Sequence, residues 1–151
     1  MKIQKIKLNN DKDNVVFTEN IQISAENYAS INGATMMFPL NAFNQSVDVP
    51  QRYRTRRNPF EVARGFYDQD ETEISFPQGY TIDAKPDNYE LKDKFGTYKM
   101  EIIVVNPSKI IYKRTYIFNK GSYEKSEYED FRKFKEQIAR IDNSKIVLIK
   151  K

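Results

Sequence analysis

The sequence contains no cysteine, no histidine and no tryptophan, and only five glycines among its 151 residues. Without cysteine the chain has no disulfide, no thiolate nucleophile and no sulfur ligand for a metal. Without histidine it lacks the imidazole base that usually activates a serine or cysteine nucleophile. We therefore expect no enzyme activity from this chain, no metal site and no cofactor. The redox compartment stays open, since a disulfide-free domain folds in oxidising and reducing spaces alike.

Long apolar runs are also lacking, and no stretch approaches the roughly 18 residues of a membrane-spanning helix. The N-terminus alternates apolar and polar residues and has no apolar core of a signal peptide. We expect either a protein that stays inside the cell or, as the favoured case, a piece of a longer parent protein, with the piece starting at Met1. Twenty-five basic and twenty-one acidic residues give a net charge of +4. That mild, interspersed excess suits a soluble surface better than a dedicated polyanion binder.

Ten phenylalanines and ten tyrosines supply the bulky core candidates, and these residue types favour strands. Apolar alternation predicts strands at 3–8, 15–23, two flanking Asn32-Gly33 between 28 and 40, 61–67, 71–76 and a hairpin over 97–118. Residues 41–58 have no clean period and are interpreted as a long surface connection. Both faces of 102–105 are apolar, so we expect the hairpin to lie centrally and to be covered on both sides.

One helix is predicted near the C-terminus, at about 126–141. Ser126 followed by Glu129 matches a capping box. A single apolar stripe follows at helical spacing, made of Tyr128, Phe131, Phe134, Ile138 and Ile141. Residues 145–150 return as a final short strand. The fold class is therefore mainly β: one antiparallel β-sandwich-like domain over 1–151, with 1–14 as an edge strand or a linker from an upstream region.

The arginine-rich segment RYRTRR is the first candidate site. At strand spacing Arg52, Arg54 and Arg56 would line one face. Together with Arg57 they form a candidate docking surface, because arginine makes bidentate contacts at interfaces. The same charges beside Tyr53 could clamp phosphates and stack on a base, although no recognised nucleic-acid motif accompanies them. A third interpretation is a solvated loop whose arginines pair with the chain's own acids.

Two further patterns invite a binding role. Tyr80 and Tyr89 flank the polar loop at 84–87 and are expected to be exposed, so they are candidates for stacking on a glycan. An acidic turn at 68–71 resembles the start of a calcium loop, but the later glycine and glutamate of such a loop are missing. We interpret it as a plain hairpin turn between the strands at 61–67 and 71–76.

Several short motifs, taken in their order along the chain, resemble one bacterial domain family. They are Arg57-Asn58-Pro59-Phe60, ISFPQGY at 74–80, Phe95-Gly96-Thr97-Tyr98, Tyr112-Lys113-Arg114, YEDFRKF at 128–134 and IVLIK at 146–150. The family is the C-terminal domain, of uncharacterised function, of multidomain proteins with a transglutaminase-like core, mostly from Bacteroidetes. The resemblance covers roughly residues 15–150.

The resemblance implies a β-sandwich-like domain that follows a papain-like core in a protein exported to the periplasm or cell envelope. Such a core would use a Cys-His-Asp triad, and none of those residues carries over, because this chain has neither cysteine nor histidine. We therefore expect a non-catalytic accessory domain that docks on the upstream catalytic domain or on a protein or peptide partner. A glycan-binding module and a basic nucleic-acid-binding module are the two alternatives, and the oligomeric state stays open.

Overall fold

The computed structural model describes residues 2–151. Met1 lies outside the described residues, and so does the expectation that the chain starts there as a piece of a longer parent. Strands make up 53% of the chain, which confirms the mainly β prediction. The strands are β1 (Lys2–Asp11), β2 (Val16–Ser24), β3 (Ser30–Asn32), β4 (Thr35–Pro39), β5 (Phe60–Val62), β6 (Phe66–Ser75), β7 (Tyr80–Ala84), β8 (Tyr89–Asp93), β9 (Gly96–Asn106), β10 (Lys109–Phe118), β11 (Gly121–Tyr123) and β12 (Lys145–Lys150); the helix α1 spans Tyr128–Asp142. The chain divides into two compact units, one up to Ser30 and one from Ile31 to Lys151.

The first unit is an antiparallel hairpin of β1 and β2. Its register places Ile6 opposite Ile21 and Asn10 opposite Phe17, so apolar side chains collect on one face of the ribbon. These three apolar side chains are all exposed, with 44–59% of their surface open. The predicted strand at 3–8 is confirmed, and β1 continues to Asp11.

The second unit contains two four-stranded antiparallel sheets, ordered β6-β10-β9-β8 and β3-β4-β12-β7, and a small β11-β5 pair. The predicted hairpin over 97–118 is confirmed as β9 and β10, and β10 lies between β9 and β6. The expectation that 102–105 is covered on both sides is wrong. Ile103, Val104 and Val105 are each exposed by 45–49%, because the hairpin extends beyond the elements that cover its other end.

The predicted acidic turn at 68–70 does not exist. These residues lie inside β6, which runs without interruption along β10 and pairs Asp70 with Arg114 and Asp68 with Tyr116. The Arg114 Nη1 atom lies 2.9 Å from Asp70 Oδ2, so the strand accommodates a carboxylate that sequence patterning assigned to a turn. The first of the two predicted strands shrinks to β5.

Helix α1 begins two residues later than predicted, after a short 3-10 turn at 125–127. Ser126 is not its capping residue. The capping box belongs to the 3-10 turn, where the Glu124 backbone N–H donates to the Glu127 carboxylate over 2.6 Å. Four residues of the predicted apolar stripe are buried, whereas Ile141 is only half-buried. The helix also buries two charged side chains, Lys135 and Asp142.

Aromatic rings pack under the helix. Phe95, fully buried, lies 5.2 Å from Phe131 and 5.9 Å from Phe134 between ring centroids. The neighbouring Gly96 has a φ of +154° and opens β9 directly against β10. A Cβ atom at this position would lie 2.0 Å from the Ile117 carbonyl oxygen, so only glycine fits without a shift of the backbone. The helix and both central strands thus meet at a tightly packed point.

Candidate functional site

The connection between β4 and β5 contains neither helix nor strand, as predicted for 41–58. Its first part is fastened to the last residue of α1. Asn41 Nδ2 donates to Asp142 Oδ1 over 3.0 Å, and the Ser46 backbone N–H donates to Asp142 Oδ2 over 2.8 Å. A segment without regular structure therefore leaves the sheet along a defined path.

The second part of the connection, residues 51–58, is called the arginine loop below. It is fastened to the first residue of α1. The Tyr128 hydroxyl donates to the Gln51 carbonyl oxygen over 2.9 Å. The Arg56 guanidinium carbon lies 4.2 Å from the Tyr128 ring centroid and 5.4 Å from that of Phe60. Arg56 Nε also donates to the Asn58 carbonyl oxygen over 3.1 Å, so Arg56 holds the loop in place.

The other three arginines of the loop point into solvent. Arg52, Arg54 and Arg57 are exposed, and none of them forms an ion pair within the part of the chain that the structure describes. Tyr53, with 51% of its surface exposed, lies between them along the chain. A shallow groove of about 240 Å³ runs along the loop and is lined by Tyr53, Thr55, Arg56, Arg57 and Asn58.

The prediction that Arg52, Arg54 and Arg56 line one face at strand spacing is wrong. The loop has no strand, and the four candidate arginines lie in two different environments: Arg56 packs against aromatic rings, while Arg52, Arg54 and Arg57 are exposed. The cause is the aromatic surface of Phe60 and Tyr128, whose rings lie 5.4 Å apart and attract the nearest guanidinium. Their role in docking stays a prediction.

Tyr80 and Tyr89 are not the exposed tyrosines. Both are half-buried, on β7 and β8 of different sheets, while Tyr53 and Tyr67 are exposed by 51% and 61%. The Tyr89 hydroxyl donates to Gln137 Oε1 on α1 over 2.8 Å. The expected exposure was wrong for both rings, and Tyr89 is held against the helix by this hydrogen bond. Their role in glycan stacking stays a prediction.

A buried ionic network was missed by the sequence patterns. Arg114 and Asp142 are 2% and 1% exposed, and Arg114 Nε donates to Asp142 Oδ1 over 3.0 Å. The Tyr98 hydroxyl donates to the same oxygen over 2.6 Å. Burial opposes the charge on Arg114, but the attraction of Asp142 and the hydrogen bonds to Asp142 and Asp70 together outweigh it, so the pKa of Arg114 is raised. One sequence signal could have revealed this network: Arg114 lies on the otherwise apolar face of a central strand. A cation buried there needs an acidic partner that is buried with it.

This network joins the end of α1 to strands β9 and β10 and to the connection that follows β4. Asp142 accepts hydrogen bonds from Asn41, Ser46, Tyr98 and Arg114, and those contacts use the directions from which a ligand would approach. Among residues 2–151, no group of three or more acidic side chains is placed to hold a metal ion. Within the same residues, no helix is both long and apolar enough to cross a membrane.

The geometry defines an antiparallel β domain with a C-terminal helix and an exposed arginine loop. A family described as a domain of unknown function with a solved structure, DUF3858, matches residues 34–148. The chain belongs to this family, and the match runs from the start of β4 almost to the end of β12. Comparison with curated proteins found no match. Comparison with solved structures found none either.

Proposed function

We propose that this chain is a non-catalytic accessory domain that docks on a protein partner through the arginine loop. The observation that carries the proposal is that the four arginines of the loop lie in two different environments. Arg56 is stacked on Tyr128, 4.2 Å from its centroid, while Arg52, Arg54 and Arg57 are exposed and free of ion pairs within the described residues. A loop that is already ordered gives up little conformational entropy when it binds.

The chemistry of the loop selects an acidic partner surface. Guanidinium groups form paired hydrogen bonds with carboxylates, and these contacts fix orientation as well as adding affinity. The three arginines are neighbours along the loop, so a cluster of aspartates or glutamates would match them. Net charge alone does not explain such a surface, because the excess over the whole chain is only +4.

The partner that we propose is an upstream transglutaminase-like domain of the same polypeptide, in a bacterial envelope protein. This context rests on the resemblance of the ordered motifs, such as ISFPQGY at 74–80 and Phe95-Gly96-Thr97-Tyr98, to that class of multidomain protein. In this arrangement the catalytic residues belong to the upstream domain, and the present chain orients that domain or its protein substrate.

The experiment compares binding of the upstream region, added in trans, to the chain and to two triple variants. One variant carries Arg52→Glu, Arg54→Glu and Arg57→Glu. The matched control carries the same charge change on three exposed lysines outside the loop: Lys85→Glu, Lys120→Glu and Lys125→Glu. Calorimetry should show affinity lost in the first variant and largely kept in the second.

Two results would contradict the proposal. Equal losses in both triple variants would mean that only overall charge matters. Full affinity in the arginine variant would place the interface elsewhere.

The exposed Tyr53 among the arginines favours single-stranded nucleic acid as the second candidate ligand. Tight binding of an oligonucleotide that falls steeply with salt and is lost in the arginine variant would favour that alternative over a protein partner.

A further inference from the structure

The hairpin of β1 and β2 has one apolar side, called the apolar face below. Its register pairs Ile3 with Ile23 and Ile6 with Ile21, and directly paired residues of an antiparallel ribbon share a face. The register shifts between Ile3 and Lys5, and this irregularity keeps Ile3 on the same side as Ile6. The face therefore carries six large apolar side chains: Ile3, Ile6, Leu8, Phe17, Ile21 and Ile23.

The charges of the hairpin avoid this face. Lys5 and Lys7 pair with polar residues on the opposite side of the ribbon. Within the strands β1 and β2, Glu19 is the only charged residue whose register position lies on the apolar face. Both strands of a two-stranded ribbon are edge strands, so the Glu19 carboxylate can reach water beside a contact. Two such faces can therefore meet without bringing cations together, although the chain has a net charge of +4.

A lipid surface fits the apolar face less well than a protein surface does. Insertion into a bilayer would carry Glu19 and Asn10 towards the hydrocarbon, where a charged group is costly. The same orientation would point Lys5 and Lys7 away from the membrane, so anionic headgroups would add no attraction. The pattern of charges thus favours an apolar protein surface as the occupant.

The dimensions of the hairpin match a second copy of itself. An isolated two-stranded hairpin is at best marginally stable in water, and further strands over its apolar side are needed for stability. The apolar face is two strands wide and nine to ten residues long. A second hairpin has the same width and length, so two copies packed face to face form a two-layer sandwich that leaves neither apolar face open.

The area available is sufficient for a specific dimer. Five of the six apolar side chains expose 44–59% of their surface, and Ile23 is half-buried. Because a large side chain presents on the order of 200 Å², the face offers about 500 Å² per copy. Two faces would bury about 1,000 Å² from these side chains alone, which reaches the size at which protein interfaces become specific.

We propose that the chain forms a homodimer in which the apolar faces of two β1-β2 hairpins pack against each other about a two-fold axis. The contact is isologous, so the same residues act on both sides and each substitution removes two side chains from the interface. Since the partner stabilises the folded hairpin, order in 2–24 depends on the concentration of the chain.

Sedimentation equilibrium tests the dimer from about 1 μM to about 1 mM chain. The double variant Ile6→Thr, Ile21→Thr removes four isoleucines from the interface and keeps β-branched residues that favour strands. We expect its dimer Kd to rise at least roughly a hundredfold. The control, Lys7→Thr with Asn20→Thr, places the same residue type on the adjacent pair of the opposite face and should leave the dimer Kd unchanged.

Cross-linking provides a second measurement that keeps the hairpin apolar. The chain has no cysteine, so one introduced cysteine is its only thiol. With a short bis-maleimide, Ile21→Cys should give a linked dimer, whereas Asn20→Cys on the opposite face should stay single.

Three results would overturn the proposal: a monomer over the whole concentration range, equal dimer Kd values for the two threonine variants, or equal cross-linking at both positions. A monomer that instead binds phosphatidylcholine vesicles or the upstream region through Ile6 and Ile21 would also overturn it, because the occupant would then be another surface.

Discussion

Arg114 on β10 and Asp142 at the end of α1 form a buried ion pair in which the Arg114 Nε atom lies 3.0 Å from Asp142 Oδ1. Arg114 also reaches Asp70 on β6 over 2.9 Å, so one guanidinium connects two strands to the helix. Replacement of such a buried pair by two apolar residues of similar size is often neutral or stabilising, whereas removal of one partner leaves a buried charge without its counter-charge.

Removal of both partners of this pair should cost less than the sum of the two single removals. Asp142→Asn keeps the shape of the side chain but leaves the guanidinium of Arg114 buried without its main counter-charge. We expect the free energy of unfolding to fall by about 3–5 kcal/mol, measured by urea denaturation. The double variant Arg114→Met, Asp142→Leu should lose less than the sum of the two single changes. Additive losses would show that the two side chains are not coupled.

Gly96 should not tolerate a side chain. In the Gly96→Ala variant the new Cβ would meet the Ile117 carbonyl oxygen at 2.0 Å, and both contacting segments belong to paired strands. We expect a loss of about 3 kcal/mol or more, since overpacking and backbone strain combine. The control is Gly79→Ala, where φ is also positive but no atom lies within 4 Å, and only about 1 kcal/mol should be lost. Similar losses at both sites would contradict this account.

The three most deeply buried tyrosines should resist ionisation until the chain unfolds. Burial raises the pKa of Tyr98, Tyr112 and Tyr116 above the ordinary 10.0. The unfolded chain therefore loses these protons first, so stability is intact below pH 10 and falls as the pH rises further. Burial lowers the pKa of Lys135 from its ordinary 10.5, which opposes this trend just below that pH, but one lysine acts against three tyrosines.

The measurement is an alkaline titration followed by tyrosine absorbance and circular dichroism together. We expect the last part of the absorbance change to coincide with the loss of structure. In the Tyr112→Phe variant that late part should shrink, because one of the deeply buried groups is gone. Complete ionisation near pH 10 with the secondary structure intact would contradict the prediction.

Arg56 should order the arginine loop, while its exposed neighbours should not. Arg56→Ala removes the stack on Tyr128 and the hydrogen bond to Asn58, so amide exchange in 51–58 should accelerate. The free energy of unfolding should fall by about 0.5–2 kcal/mol. Arg54→Ala, at an exposed position of the same loop, is the control and should change neither quantity. Equal exchange rates in both variants would mean that the stack does not hold the loop.

Local patterns were sufficient for the elements whose residues meet near one another along the chain. The β9-β10 hairpin and the apolar stripe of α1 follow from alternation and helical spacing. The long strand β6 was missed because Asp70 seemed to belong to a turn. Its charge is balanced by Arg114, which lies 44 residues further along the chain. No period in the sequence reports such a pairing.

The candidate site was only partly predictable for the same reason. The concentration of arginine at 52–57 is visible in the sequence, and so is its capacity to bind carboxylates. Which arginine is held and which are free depends on Tyr128, whose hydroxyl bonds to Gln51 across 77 residues.

The connection from β4 to the arginine loop is tied to both ends of one helix, by Asp142 at its last residue and by Tyr128 at its first. A helix of 15 residues is about 22 Å long, so α1 sets the span of a segment that has no regular structure of its own. Fraying of either helix end would slacken the loop. The order of the arginine loop therefore depends on the stability of α1. A substitution that destabilises the helix far from the arginines would increase the mobility of the arginines without changing any of their own contacts.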